Sequence, residues 1–161
     1  MASPSLYRDR DIRRAIASIL EATREFDGVY LRSVSEIPSL RAGDIRAVSI
    51  EPDSVDFSDS LGDGGANPGS DSGALIVSGR LNLTFMVRDD EPVSRDEAAE
   101  QLVTIASNAL NDQSLASLTM PPFTRFLSLK WLTPEPPERR ISATFVYRYA
   151  VDSWTSFDTT E

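Results

Sequence analysis

IRAVSIEPDSVDFSDSLGDGGANPGSDSGALIVSGRLNLTFMV, residues 45–87, reads as two long strands joined by an oversized connection. Ile45–Ile50 is the first, with Val55 and Phe57 as a resumption of the same strand, and Ala74–Val87 is the second. In the second strand Leu81, Leu83, Phe85 and Val87 alternate with Asn82, Thr84 and Met86, so one face is apolar throughout. Gly79 is expected to mark a bulge or bend. Between the strands, Ser58–Gly73 holds five Gly, one Pro and a single large apolar side chain, Leu61. So little apolar area does not offset roughly 1–2 kcal/mol of backbone entropy per residue, and a mobile loop over 58–73 is expected. Closing such a loop adds only about 2–3 kcal/mol beyond a constant, so the strands can still pair as a hairpin. Structureless loops of this length are uncommon in compact domains unless they have a role or are simply disordered. Ordering against a partner or a neighbouring subunit would satisfy both.

N-terminal to this hairpin, Ile12, Ala15, Ile16, Ile19, Leu20, Thr23 and Phe26 recur at helical spacing and predict a helix over 7–26, stopped by Gly28. Its other face carries Arg10, Arg13, Arg14, Glu21, Arg24 and Glu25, which read as a solvated or interface face. Val29–Val34 reads as a strand, broken at Ile37-Pro38. After the hairpin, Ser94-Arg-Asp-Glu97 has the spacing of a capping box and predicts a helix start. Ala98, Leu102, Ile105, Ala106, Ala109 and Leu110 form its expected core stripe, and the polar run 111–114 its end. The last two strands are Phe126–Leu132 and Ile141–Val151, the second alternating from Ile141 to Tyr149. TPEPPERR connects them, and three prolines predict a stiff hook rather than a floppy loop. The expected fold is α+β: an antiparallel (mixed) β-sheet with two helices packed on one face and one long flexible hairpin loop. A single domain over 1–161 is expected from the length.

Sixteen basic against 25 acidic residues give a net charge of −9, which opposes wrapping of nucleic acid but not passage of DNA through a ring. The chain has no Cys and no His, so disulfides, thiol chemistry, Cys/His zinc sites, Ser-His-Asp triads and imidazole switches are excluded. No apolar run has signal-peptide or membrane-span length, and synthesis in the cytoplasm without a membrane partner is expected.

Ligand motifs come up empty. Gly64–Gly69 has the glycine spacing of a phosphate loop, but Ser70 and Asp71 follow where Lys and Ser/Thr are needed, and a strand rather than a helix comes next. Asp59, Asp63 and Asp71 do not have EF-hand spacing. Arg88-Asp-Asp-Glu91 clusters three carboxylates, a pattern that can serve acid/base or magnesium chemistry but sits where acids favour a helix N-terminus. Trp131, Tyr147, Tyr149, Trp154 and Phe157 lack the basic patch of a base-stacking platform. No catalytic residue, metal site or cofactor is expected.

What remains are surfaces. In order, the IRRAIASIL helix, the VYLRSV strand, the hairpin ending in GRLNLTFMVRDD, the helix SRDEAAEQLVTIASNAL and the final FLSLKWLTPEPPERRISATFVYRYAVDSW hairpin resemble the tail terminator (tail completion) proteins of tailed bacteriophages over nearly the whole chain. Head-tail joining proteins and tail tube proteins of the same structural group share much of this order. The resemblance implies a virion component at the head-tail junction. It would be a ring, commonly a hexamer, that caps the tail tube, stops its polymerisation and offers a surface to the neck or connector. Its partners would be the tube protein, the connector and the sheath where one exists, with DNA passing through the lumen without specific binding. Asp59, Asp63 and Asp71 would then line the lumen and repel phosphate. Pro134, Pro136, Pro137, Arg139, Arg140, Trp154 and Phe157 would serve the subunit or tube interface, Arg and aromatic side chains being common interface anchors.

Two other classes stay open on the residues alone. A monomeric binding module would show one exposed apolar patch and a sharp monomer mass. A carboxylate enzyme would bind magnesium or manganese near Asp89, Asp90 and Glu91.

Overall fold

The structure is a computed structural model that describes residues 5–33, 45–58 and 75–151. Asp59, Asp63, Asp71, Trp154 and Phe157, with nearly all of the 58–73 loop, lie outside the described residues. The elements are α1 (Ser5–Ala22), β1 (Gly28–Tyr30), β2 (Arg46–Ser58), β3 (Leu75–Arg88), α2 (Pro92–Ala109), β4 (Arg125–Trp131) and β5 (Glu138–Val151). They make one mixed five-stranded sheet in the order β1-β2-β3-β5-β4. Only the β1–β2 pair is parallel.

The expected hairpin is β2 and β3, paired from Arg46↔Val87 to Ser58↔Ile76. The strand predicted in two pieces is continuous through Val55 and Phe57, with an irregularity between Pro52 and Ser54. Pro52 lacks a ladder donor, so the disruption belongs there rather than at Gly79. Gly79 instead makes room. A Cβ on it would sit 2.2 Å from Cζ of Tyr147 on β5, closer than any real contact.

Both helices cover the same face of the sheet. Ile12, Ile16 and Leu20 of α1 and Leu102 and Ala106 of α2 join Val48, Leu83, Phe85, Ala143 and Phe145 in one buried cluster. The α2 stripe is rotated from the expected one, with Ala99 and Val103 buried while Ile105 and Ala109 are half-buried. The other face is less open than its alternation suggested, since Thr84 and Met86 are both fully buried. Met86 and Ala47 pack with Tyr30, and the Ser49 hydroxyl donates to the Arg32 carbonyl at 2.7 Å, so the chain after β1 covers this end of the sheet.

Several boundaries differ from those predicted. The first helix ends at Ala22, not Phe26. Thr23 Oγ1 donates to the Leu20 carbonyl at 2.6 Å, and Arg24 adopts a left-handed φ of 61°, so the stop comes before Gly28, which opens β1. Asp27 then staples the turn to β2, its Oδ2 accepting from the Ile45 and Arg46 amides at 2.8 and 3.0 Å. The second helix starts at Pro92 rather than Ser94. Glu91 is its N-cap and accepts from the Ser94 amide at 2.6 Å, while Pro fits the first helical position because that N–H has no intrahelical partner.

Buried Asp9 of α1 reaches across to β5. Its Oδ1 accepts from Tyr147 Oη at 2.6 Å and its Oδ2 from Tyr149 Oη at 2.9 Å, the two rings stacked 6.3 Å apart. Burial pushes both phenols well above the ordinary tyrosine range, and the Asp9 carboxylate adds to the shift. A phenol raised in the folded state stabilises the fold fully below its unfolded value near 10, and that stability is lost as pH rises toward the folded value. Above pH 10 the unfolded chain releases protons that the folded one keeps. Unfolding free energy is therefore expected to fall by up to about 2.7 kcal/mol per pH unit from the pair. Urea denaturation of the wild type and of Tyr149→Phe over pH 9–11 checks this, with the single-phenol variant showing about half the slope.

Candidate functional site

Among the described residues β4 is the outermost strand at one side of the sheet, bonded to β5 along one edge only. From Leu127 onward every β4 side chain is exposed. Leu127, Leu129 and Trp131 are 47%, 53% and 38% exposed, an uncommon apolar load for an edge strand. Leu129 pairs with Ala143 and Trp131 with Ile141, both core residues, so these two side chains stand on the helix-bearing face. There they wall a groove of about 400 Å³ with Glu100, Val103, Thr104 and Ile141. The helix covers the neighbouring strand but stops short of β4.

A second open edge lies across the sheet. β1 pairs with β2 only from Ala47 to Ser49, which leaves the outer half of β2 without a strand on that side among the described residues. This half is largely exposed, with Phe57 at 52%.

The proline connection closes more tightly than the expected hook. Glu135 and Glu138 exchange backbone hydrogen bonds at 2.8 and 3.3 Å, leaving Pro136 and Pro137 as a two-residue tip. The Asp89 amide donates to the Pro137 carbonyl at 3.0 Å and ties this tip to the turn before α2. Pro134, Pro136 and Pro137 are all exposed. Arg139 turns inward: Nη1 donates to the Leu132 carbonyl at 3.1 Å, Nε lies 3.2 Å from Asp96 Oδ1, and the guanidinium sits 4.5 Å over the Trp131 ring. That stacking holds the Trp131 ring in place beside the groove. Arg140 Nη2 donates to Glu138 Oε1 at 3.1 Å, both side chains mostly buried. The prolines and Trp131 thus share one end of the β4–β5 hairpin, whereas the two arginines are engaged within the subunit.

Two of the three acids before α2 are committed to the backbone. Asp89 Oδ1 accepts from the Glu91 amide at 3.0 Å and Glu91 serves as the helix cap, so these carboxylates shape a turn. No group of three acidic side chains placed to hold a metal occurs among the described residues. Among the same residues no helix is long and apolar enough to cross a membrane.

The sequence reading missed the β4 surface and Asp9. Periodicity assigns β4 a strand but not its place at the sheet edge. Asp9, by contrast, left a signal: it lies three residues before Ile12 and seven before Ile16, in phase with the buried stripe.

No protein-family model and no curated protein matches the sequence. A chain in the solved structure titled "Virion of native gene transfer agent (GTA) particle" is similar over 84% of each chain, at 15% identity and a TM-score of 0.41.

Proposed function

We propose that this chain is a virion structural protein of a phage-like particle, a ring-forming tail terminator that caps the tail tube, stops its growth and joins the tail to the neck. The observation that carries the reading is β4, an edge strand that leaves Leu127, Leu129 and Trp131 in water in the isolated chain. Burial of such residues stabilises an assembly by about 25 cal/mol per Å² of apolar area removed from water, before the cost of association. The element order of helix, strand, long hairpin, helix and hairpin also fits the resemblance noted in the sequence. A head-tail joining or tube-like role within the same structural group is the second reading, favoured by the same edge.

Light scattering across a concentration range, followed by negative-stain microscopy, tests the assembly. A discrete ring supports the reading, and a monomer that ignores tail tubes contradicts it. In such a ring Asp59, Asp63 and Asp71 would face the lumen. Replacing all three by Lys is expected to slow DNA ejection while leaving assembly intact, which infection assays on complemented particles measure. Unchanged ejection would remove these residues from the lumen.

A further inference from the structure

We infer that the outer half of β2 from one copy of the chain adds to the free edge of β4 on the next copy, continuing the sheet from subunit to subunit. This interface rests on the ring reading and names the surfaces that build it.

The two edges match in length, face and charge. The usable run of β2 begins after Pro52, which has no N–H to offer a ladder, and covers Ser54–Ser58. Five residues span about 17 Å, within the seven-residue length of β4. Register fixes which side chains share a face. Val55 pairs with Gly79 and Phe57 with Val77, which places both on the helix-bearing face. Leu129 and Trp131 occupy that same face of β4. Joining the strands with the helices on one side brings half-exposed Phe57 toward the groove bounded by Leu129, Trp131 and Val103.

The opposite face is complementary in charge. Asp56 pairs with Ser78, on the side away from the helices, and is exposed. On β4, Lys130 pairs with Ser142 and Arg125 with Val146, which puts both cations on that same side. The same sheet extension therefore aligns apolar with apolar on one face and acid with base on the other. A second copy of β4 on β4 would instead set Lys130 and Arg125 against themselves.

The contact is also heterologous. β4 is one end of the strand order, whereas the β2 segment lies at the other end beyond the reach of β1, so among the described residues every subunit offers one donor and one acceptor edge. Such a contact gives a ring where the rotation between subunits closes and an open filament where it does not.

Lys130 is the only lysine in the chain, which makes its amine a reporter of β4. The test uses the full chain, with Asp56→Arg and Lys130→Glu made singly and together, followed by sedimentation velocity over a concentration series. Each single reversal is expected to raise the subunit dissociation constant by about tenfold or more, and the double variant to restore most of the loss. Acetylation of Lys130, mapped by peptide mass against the terminal amine, is expected to be several-fold slower in the wild-type oligomer than in Asp56→Arg at the same concentration. An oligomer indifferent to both reversals, with Lys130 as reactive as in dilute protein, overturns this interface while leaving a ring built on another surface. A wild-type chain that stays monomeric at every concentration and does not bind tail tubes overturns the interface and the ring reading together.

Discussion

Replacing Asp9 with Ala is expected to lower the unfolding free energy by about 3 kcal/mol, from the loss of two hydrogen bonds to a buried carboxylate. Asp9 is 5% exposed, and the two phenols that donate to it are 1% exposed each. The variant leaves both hydroxyls buried without their acceptor, and each unsatisfied group costs about 1–3 kcal/mol. The slightly better helix propensity of Ala offsets only a few tenths. Two further variants separate this cause from general disturbance of α1. Asp9→Asn keeps one acceptor oxygen and is expected to lose about half as much. The triple variant Asp9→Ala, Tyr147→Phe, Tyr149→Phe removes donors and acceptor together and is expected to recover much of the loss, because matched removal of polar partners can be nearly neutral. Urea denaturation of the four proteins supplies the comparison. A triple variant no more stable than Asp9→Ala would show that the aspartate acts by some route other than the two phenols.

Phe85→Ala is expected to cost about 3–5 kcal/mol, the range for truncating a large aromatic in a closed core. Phe85 is fully buried on β3, the central strand. Its ring centroid lies 6.2 Å from that of Phe26 on one side and 6.2 Å from that of Phe126 on the other. Phe126 in turn meets Phe145 edge-on at 5.1 Å, so the deletion opens a gap in a chain of four rings spanning β3, β4, β5 and the turn between α1 and β1. With natural domains stable by roughly 5–15 kcal/mol, this loss brings the variant near the limit of folding. Thermal unfolding should shift down by roughly 6–20 °C for a chain of this size. Phe85→Leu, which keeps most of the volume, should lose much less. A loss below about 1 kcal/mol for the alanine variant would mean the site collapses without a cavity.

These two residues also mark what could be read from the chain. Phe85 was legible, because the alternation through Leu81, Leu83, Phe85 and Val87 is long, and a period of two sustained over seven residues has no helical alternative. The hairpin and the apolar face of β5 were legible for the same reason. Asp9 was harder, since a carboxylate in phase with Ile12 and Ile16 becomes a core residue only through tyrosines 138 and 140 positions away. The start of α2 was misplaced because a capping-box spacing at Ser94 competes with Glu91-Pro92 three residues earlier, and the proline's preset φ favours the earlier frame. Thr84 and Met86 look like solvent-facing residues until Tyr30 and the chain after β1 are placed over them.

The candidate surface was the least legible part. Within Arg125-Phe-Leu-Ser-Leu-Lys-Trp131, nothing local separates a central strand from an edge. Edge position is set by the strand order, which depends on β5 lying between β3 and β4. Once that order is known, the apolar side chains of β4 are placed at the surface rather than in the core. Arg139 and Arg140, expected at an interface, have intrasubunit partners that the sequence does not show. Both pair with acidic side chains of their own subunit, so at this hairpin the exposed prolines and Trp131 are the groups turned outward.

The proposed terminator role can be read out by adding the purified protein to polymerising tube protein. Tubes are expected to stop lengthening once the chain is added, with one ring seated at a tube end in electron micrographs. Tubes that grow to the same lengths with bare ends, at concentrations where the chain has already assembled, would contradict it.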